Sequence, residues 1–188
     1  MLSFGEYLFF EMRTGEGLAL VGEDNNTFFV LFENNLEFQQ ALINYDYDKI
    51  SEHIFGVIEL RDNQMYQTME VDAVWARKGY GPLMYLIALK SVGSYGLTAS
   101  RVQVSAGAKE IWRNFYEGVG KKFINAIPLG AKHHEEGYLN YKYVLKVPYD
   151  IGPMLMRGKV ALRDKHGEKR NALMEAAAMV LRQKLGDL

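Results

Sequence analysis

The chain has 188 residues, which fits one ordinary globular domain and leaves little room for a second. Its formal net charge of -1 excludes a global positive field that would attract nucleic acid or an anionic membrane, although a local basic patch remains compatible with it. Because it has no cysteine, disulfides, thiolate nucleophiles and cysteine metal sites are excluded, and a reducing compartment such as the cytoplasm fits the composition.

The N-terminal residues 1–10 are apolar but contain Glu6 and lack a basic leader. No stretch of the chain reaches the length of a membrane-spanning helix. We therefore expect this segment to be part of the fold, and we expect no membrane partner.

Apolar periodicity and turn residues predict ten elements along the chain. In chain order these are strands at 18–21 and 27–32, a helix at 35–43, strands at 53–60 and 66–75, a helix at 83–89, a short strand at 101–104, a helix from about 106 to 117, a strand at 138–145 and a helix at 168–185. The pattern indicates an α+β fold with a mostly antiparallel, mixed central sheet that is flanked by helices.

Residues that favour turns and caps support these boundaries. The first two strands are joined by residues 22–26 and the next two by residues 61–64, both rich in turn formers. Asn34 or Asn35 can cap the first helix, and Ser105 can cap the helix that follows the short strand. Pro82 suits the first turn of a helix, where a missing N–H costs nothing.

The most informative segment is Arg-Lys-Gly-Tyr-Gly-Pro at residues 77–82, between a predicted strand and a predicted helix. Gly79 and Gly81 let the backbone approach an anion closely, the positive end of the helix dipole points at it, and Arg77 and Lys78 add positive charge. The spacing is neither that of a dinucleotide-binding fold nor that of a nucleotide-hydrolysing loop. By itself this segment predicts an anion-binding turn.

This segment and its neighbours resemble the GNAT acetyltransferase superfamily. The sequence HIFGVIELRDNQMYQTMEVDAVWARKGYGPLMYLIALKS at residues 53–91 is similar to the family's third and fourth strands and its acyl-CoA-binding helix, with Val71 at the family's valine. Downstream, RVQVSAGAKEIWRNFYEGVG resembles the next strand and helix. The segments KGYGPLMYLIAL, SAGAKEIW and LNYKY also resemble acetyltransferase-like proteins of bacteriophages, and the resemblance covers residues 54–143.

The resemblance implies a GNAT fold that binds acetyl-CoA as a co-substrate. The residues it assigns to the coenzyme are Val71, Ala73, Arg77, Lys78, Gly79, Tyr80, Gly81 and Pro82. One position departs from the family pattern, because the arginine of the motif is replaced by Ala76 and an arginine follows one residue later. Backbone donors can still hold the pyrophosphate, and Lys78 can substitute for the displaced side chain.

The resemblance also implies direct attack of an amine on the thioester, with Tyr116 as the general acid that protonates the leaving thiolate. By spacing alone, Tyr116 is more commonly a core aromatic beside Trp112 and Phe115, and only the resemblance assigns it a catalytic role. Glu70 and Asp72 are candidate bases on the strand that leads to the turn, Glu59 is a third candidate, and a water chain is an alternative. The backbone N–H of Val71 or Ala73 can polarise the thioester carbonyl.

Three other clusters have simpler structural explanations. Adjacent residues point different ways, so His133-His134-Glu135-Glu136 predicts a solvated loop rather than a metal site. The run Tyr45-Asp46-Tyr47-Asp48 could line a cationic acceptor site, although polar loops have the same composition. The basic C-terminal region could contact nucleic acid, but a solvated helix face is the simpler explanation.

We therefore expect a GNAT-like acyl-CoA-binding domain at residues 1–150 and a C-terminal helical extension at residues 151–188 that packs on the domain or on a partner. The expected activity is acetyl transfer to an amine of a small molecule or protein. The alternatives are a catalytically silent binding module of the same fold that acts on a host complex, and an enzyme that modifies nucleobases. A homodimer is compatible with the sequence, as is the cytoplasm of a host cell.

Overall fold

The computed structural model describes residues 15–23 and 26–186. The strands are β1 Glu16–Glu23, β2 Asn26–Glu33, β3 Ile54–Asn63, β4 Thr68–Ala76, β5 Leu97–Thr98, β6 Ile124–Pro128 and β7 Tyr141–Leu145. The α-helices are α1 Leu36–Asn44, α2 Tyr47–Glu52, α3 Gly81–Val92, α4 Ala106–Tyr116, α5 Gly152–Ala161 and α6 Glu168–Leu185. Short 3₁₀ turns occur at Gly93–Tyr95, Val119–Lys122 and Gly137–Asn140.

All seven strands form one sheet in the order β1-β2-β3-β4-β5-β7-β6. The pairing of β4 with β5 is parallel, and the other neighbouring pairs are antiparallel. A parallel pair needs a crossover connection, and α3 supplies it between β4 and β5. The expectation of an α+β fold with a mixed, mostly antiparallel sheet flanked by helices is therefore confirmed.

Hydrophobic cores cover both faces of the sheet, because successive residues of a strand point to opposite faces. On one face Leu31 and Ile58 pack with the apolar side of α3 and with Trp112 of α4. On the other face Val30 and Val57 pack with α1 and with the small apolar residues of α6. The C-terminal helix α6 is thus packed against the sheet itself, through the buried residues Ala172, Leu173, Ala176, Ala177, Val180 and Leu181.

The predicted helix caps are present at two of the helices. The Asn35 side chain accepts a hydrogen bond from the backbone N–H of Phe38 at 2.8 Å, at the start of α1. The Ser105 hydroxyl accepts one from the backbone N–H of Ala108 at 3.2 Å, at the start of α4. Pro82 lies in the first turn of α3, as predicted.

Several predicted boundaries are wrong. The strand expected at 101–104 is absent, since the strand in that region is Leu97–Thr98 and the chain then turns so that Arg101 binds Glu70. The β3–β4 turn lies at residues 64–67 rather than 61–64, because β3 continues to Asn63. The first residues of the strand predicted at 138–145 form a 3₁₀ turn instead.

Three elements were not predicted: β6, α2 and α5. Asp46 caps α2 through the backbone N–H of Lys49, and Pro153 occupies the first turn of α5. These residue types also occur in loops, so the sequence pattern was ambiguous there. The expectation for residues 1–10 and part of the turn at 22–26 lie outside the described residues.

Candidate functional site

Strands β4 and β5 separate after a short contact. Their parallel pairing covers two residue pairs, Met69 with Leu97 and Glu70 with Thr98. Beyond Glu70 the pairing of β4 continues with β3 alone in the part of the chain that the structure describes, as far as Ala76 opposite Gly56. The edge of β4 that faces away from β3 is therefore left without a strand partner over its C-terminal half, which opens a cleft in the sheet.

A β-bulge lies where this cleft begins. Leu60 pairs with Val71 while the preceding residue, Glu59, pairs with Ala73, so Asp72 is the extra residue on β4. A bulge bends its strand and increases the local twist. The bulge at Asp72 thus accounts physically for the divergence of β4 from β5.

The turn after β4 leads directly into the N-terminus of α3. The backbone N–H of Tyr80 donates to the carbonyl of Arg77 at 2.9 Å, which closes the turn. Gly79 has φ +98°, a conformation that L side chains rarely adopt, and a Cβ there would have no atom within 4 Å. No side chain caps the helix. The glycine requirement and the uncapped helix end are the features expected of an anion-binding turn.

The side chains of this turn do not all face outward. The Arg77 guanidinium donates to the carbonyl of Glu52 at the end of α2, and it lies 4.7 Å from the centre of the Phe55 ring. The Tyr80 ring stacks on the Phe55 ring, with 5.3 Å between the ring centres, and the Tyr80 hydroxyl donates a hydrogen bond to Glu16 at 3.1 Å. Lys78 is exposed. Arg77 is exposed as well, but its guanidinium is engaged by the neighbouring helix.

The two carboxylates expected to act as bases are both paired with arginines. Glu70 is buried and accepts hydrogen bonds from the backbone N–H of Arg101 at 2.9 Å, from its Nε at 3.0 Å and from Asn63 at 3.0 Å. Asp72 accepts one from Arg61 Nη2 at 2.6 Å. These hydrogen bonds occupy both oxygens of Glu70 and one oxygen of Asp72.

Glu59 has a different environment. Its Oε1 accepts a hydrogen bond from the Asn26 side chain at 2.8 Å, and the residue is half-buried. Burial raises the pKa of Glu59 above the ordinary glutamate value; the neighbouring Asp72 raises it further and Arg61 opposes the shift. Glu59 therefore holds its proton more tightly than an exposed glutamate does.

Tyr116, at the C-terminal end of α4, is half-buried beside Tyr141 of β7. The two phenol oxygens are 3.4 Å apart and the ring centres 4.9 Å apart. This hydrogen bond is the largest cause of the raised pKa of Tyr141. Tyr116 thus belongs to a tyrosine pair at the border of the core, while its neighbours Trp112 and Phe115 are fully buried and contact each other edge to face.

An open cavity of about 540 Å³ lies on the sheet at the β3–β4 hairpin, at the opposite end of β4 from the turn. It is lined by Asn26, Arg61, Asp62, Asn63, Gln64, Met65 and Arg101. Four of these residues donate to the three carboxylates described above, namely Asn26 to Glu59, Arg61 to Asp72, and Asn63 and Arg101 to Glu70. The carboxylates beside the cleft are therefore connected to the cavity wall by direct hydrogen bonds.

Sequence reasoning missed the residues of this wall. Asn26, Arg61 and Arg101 come from three separate segments, and each is an ordinary surface residue in its own segment. The register of β2 and β3 places Asn26 opposite Arg61, and the hydrogen bonds to Glu70 bring Arg101 to the same place. The one signal in the sequence was Glu59, a charged residue that lies between two apolar residues of a predicted strand.

The residues at 133–136 form a cross-linked loop. Asn140 accepts hydrogen bonds from the backbone N–H groups of His133 and His134, the His134 ring contacts the carbonyl of Ser100 at 2.7 Å, and the His133 ring contacts the Tyr66 hydroxyl at 2.5 Å. Within residues 15–23 and 26–186, no three His, Cys, Asp or Glu residues are grouped in a way that could hold a metal ion.

None of the helices within the described residues combines the length and the apolar character that a membrane span requires. Comparison of the chain with protein-family models, with curated proteins and with solved structures gave no match. The geometry of the cleft, the turn and the cavity is therefore the basis for a functional assignment.

Proposed function

We propose that this protein is an acyl-CoA-dependent N-acyltransferase with a GNAT-type fold, which transfers an acetyl group from acetyl-CoA to an amine. The observation that carries the proposal is the cleft between β4 and β5, which begins at the bulge residue Asp72 and leads to an uncapped helix N-terminus. A parallel strand pair that opens beside a glycine turn offers a groove for an extended ligand and an anion site at its end.

In this proposal the turn holds the pyrophosphate of the coenzyme. The backbone N–H groups at the start of α3 and the dipole of this helix favour the negative charge, and exposed Lys78 adds a side-chain cation. Arg77 stabilises the turn through its contacts with Glu52 and Phe55. The shift of the arginine by one position thereby changes its role from ligand contact to support.

The acyl end of the coenzyme would lie along the unpaired edge of β4. A backbone N–H at Val71 or Ala73, beside the bulge, would polarise the thioester carbonyl. Tyr116 would protonate the leaving thiolate, and its hydrogen bond with Tyr141 orients the phenol. The β4 backbone and Tyr116 thus each carry one step of a direct transfer.

Calorimetric titration with acetyl-CoA tests the proposal. We expect saturable binding that Gly79→Ala weakens by about tenfold, because a Cβ strains the positive φ and intrudes on a bound phosphate. Gly130→Ala is the matched control, since Gly130 also has a positive φ and open surroundings but lies in a loop far along the chain from the turn. The absence of saturable binding to the unaltered protein would refute the proposal.

A second candidate is a binding module of this fold without catalysis. It is favoured by the ion pairs of Glu70 and Asp72 with arginines, because these pairs engage the two carboxylates that were first expected to act as bases. This candidate predicts coenzyme binding with no release of free thiol, whatever amine is added. Thiol release that depends on an added amine would exclude it.

A further inference from the structure

Glu59 connects the cleft to the cavity. Its cross-strand partner is Ala73, the residue after the bulge, and cross-strand partners point to the same face of a sheet. Arg61, two residues along β3, is on this face as well and lines the cavity. Asn26 also lines the cavity, and its side chain donates a hydrogen bond to Glu59. Glu59 is thus placed between the start of the cleft and the cavity wall.

Because Glu70 and Asp72 are paired with arginines, Glu59 is the carboxylate that remains available as a base. Glu70 is held by three donors and Asp72 by the Arg61 guanidinium. The hydrogen bond from Asn26 reaches one oxygen of Glu59, and Asn26 is uncharged, so it does not compensate the negative charge. A carboxylate without a cation partner is a better proton acceptor than one bound to arginine.

The groups around Glu59 agree with this function. On β4 the charged neighbour is Asp72, on β3 it is Arg61, and on β2 the contact is the neutral Asn26. Burial and the negative charge of Asp72 both raise the pKa of Glu59, and Arg61 only partly opposes them. A raised pKa moves a carboxyl group toward the range in which a general base works at neutral pH.

We propose that Glu59 is the general base of the reaction and that the acceptor is a small polar amine bound in the cavity between Asn26, Arg61 and Arg101. This inference rests on the proposed acyl transfer and adds the base and the acceptor class to it. The cavity volume of about 540 Å³ is within the range of small-molecule sites. The amide side chains of its wall offer hydrogen bonds to a polar body. The two arginines of the wall are paired with Asp72 and Glu70, so Asp62 of the wall and the neighbouring Glu59 favour a positive charge over a negative one.

In the proposed step the acceptor nitrogen replaces the coenzyme sulfur on the acyl carbon. The acceptor enters as an ammonium ion and gives one proton to the Glu59 carboxylate, which passes it to water. The neutral nitrogen then forms a bond to the thioester carbon, and the bond between that carbon and sulfur breaks. The sulfur leaves as a thiol with a proton from Tyr116, and the amide nitrogen gives up its remaining extra proton, which restores the phenol.

The test uses three small amines as probes: ethanolamine, 1,4-diaminobutane and glycinamide. Backbone amide NMR shifts report where each binds, and thiol release from acetyl-CoA reports transfer to it as a function of pH. We expect shifts at Asn26, Glu59, Arg61 and Arg101 with at least one probe, and a rate that rises with pH through the raised pKa of Glu59. Glu59→Gln should lower the rate about a hundredfold and abolish that rise, while leaving acetyl-CoA affinity unchanged.

Glu175→Gln is the matched control, because it makes the same change of charge at an exposed position of α6 and should change neither rate nor pH profile. If acetyl-CoA binds but no probe shifts the cavity residues, or if Glu59→Gln keeps the rate and the pH profile, the inference is overturned and the acyltransferase proposal stands. If the probes bind at the cavity and acetyl-CoA does not bind at all, the acyltransferase proposal fails, and the role of Glu59 as a base fails with it.

Discussion

Gly158 of α5 packs directly on the backbone of Leu18 in the edge strand β1. A Cβ at position 158 would overlap the Leu18 carbonyl oxygen and would lie 2.6 Å from the carbonyl carbon. The helix covers the outer edge of the sheet through this contact, and edge strands need such cover to avoid pairing with another chain. Only glycine allows the helix to approach so closely.

Gly158→Ala should therefore lower the free energy of unfolding by about 2 kcal/mol, because backbone atoms must move to admit the methyl group. Urea unfolding followed by circular dichroism measures the change. Gly107→Ala is the control in α4, where a Cβ would meet no atom within 4 Å, and it should stabilise the protein by about 0.5 kcal/mol. Equal effects of the two substitutions would contradict the close packing.

Two buried tyrosines should respond in opposite ways to loss of the hydroxyl. The Tyr85 hydroxyl is buried and has no hydrogen-bond partner among the described residues, so Tyr85→Phe should raise the free energy of unfolding by about 1 kcal/mol. The Tyr143 hydroxyl donates to the carbonyl of Tyr138, so Tyr143→Phe should lower it by about 1 kcal/mol. Thermal and urea unfolding of both variants check the signs, and a loss of stability in Tyr85→Phe would show that its hydroxyl has a partner.

Tyr116→Phe tests the proposed general acid. We expect thiol release to fall about a hundredfold with little change in acetyl-CoA affinity, because the phenol is needed for proton transfer rather than for binding. Tyr47→Phe, an exposed tyrosine in α2, serves as the control and should keep the full rate. An unchanged rate in Tyr116→Phe would remove this residue from the mechanism.

The two cations of the turn should have separable roles. Lys78→Ala should weaken acetyl-CoA binding about fivefold, which corresponds to about 1 kcal/mol, and the loss should shrink at high salt. Arg77→Ala should change coenzyme affinity less but should lower the free energy of unfolding by about 1 kcal/mol, because it removes the contacts with Phe55 and Glu52. Calorimetry and urea unfolding measure both quantities, and a larger affinity loss in Arg77→Ala would reverse this assignment.

The raised pKa of Glu59 also predicts how stability depends on pH. Because the folded state holds this proton more tightly than the unfolded state, the contribution of Glu59 to stability is fully present below its unfolded pKa and is lost as the pH rises through its folded pKa. Relative to Glu59→Gln, the unaltered protein should thus become less stable as the pH rises through the interval that begins at about pH 4, where ordinary glutamates titrate. Urea unfolding of both proteins across this interval measures the difference, and parallel pH profiles would contradict the raised pKa.

The local pattern predicted the elements whose signals are short-range. The first hairpin, the caps at Asn35 and Ser105, the helix that starts with Pro82 and the long C-terminal helix all follow from neighbouring residues. It failed where a long-range contact decided the conformation. Arg101 has the surroundings of a strand residue in the sequence, yet its backbone turns to bind the buried Glu70, thirty-one positions earlier in the chain.

The candidate site, too, was predicted in part from neighbouring residues and decided in part by long-range contacts. The glycine turn at residues 77–82 was visible in the sequence by itself, because positive φ and close backbone approach require particular residues at particular positions. Which carboxylate is available as a base was decided only by the tertiary structure. Glu59, Glu70 and Asp72 are chemically alike. The fold gives Asp72 an arginine from β3 and Glu70 an arginine from the segment after β5, and it leaves Glu59 with a neutral asparagine from β2.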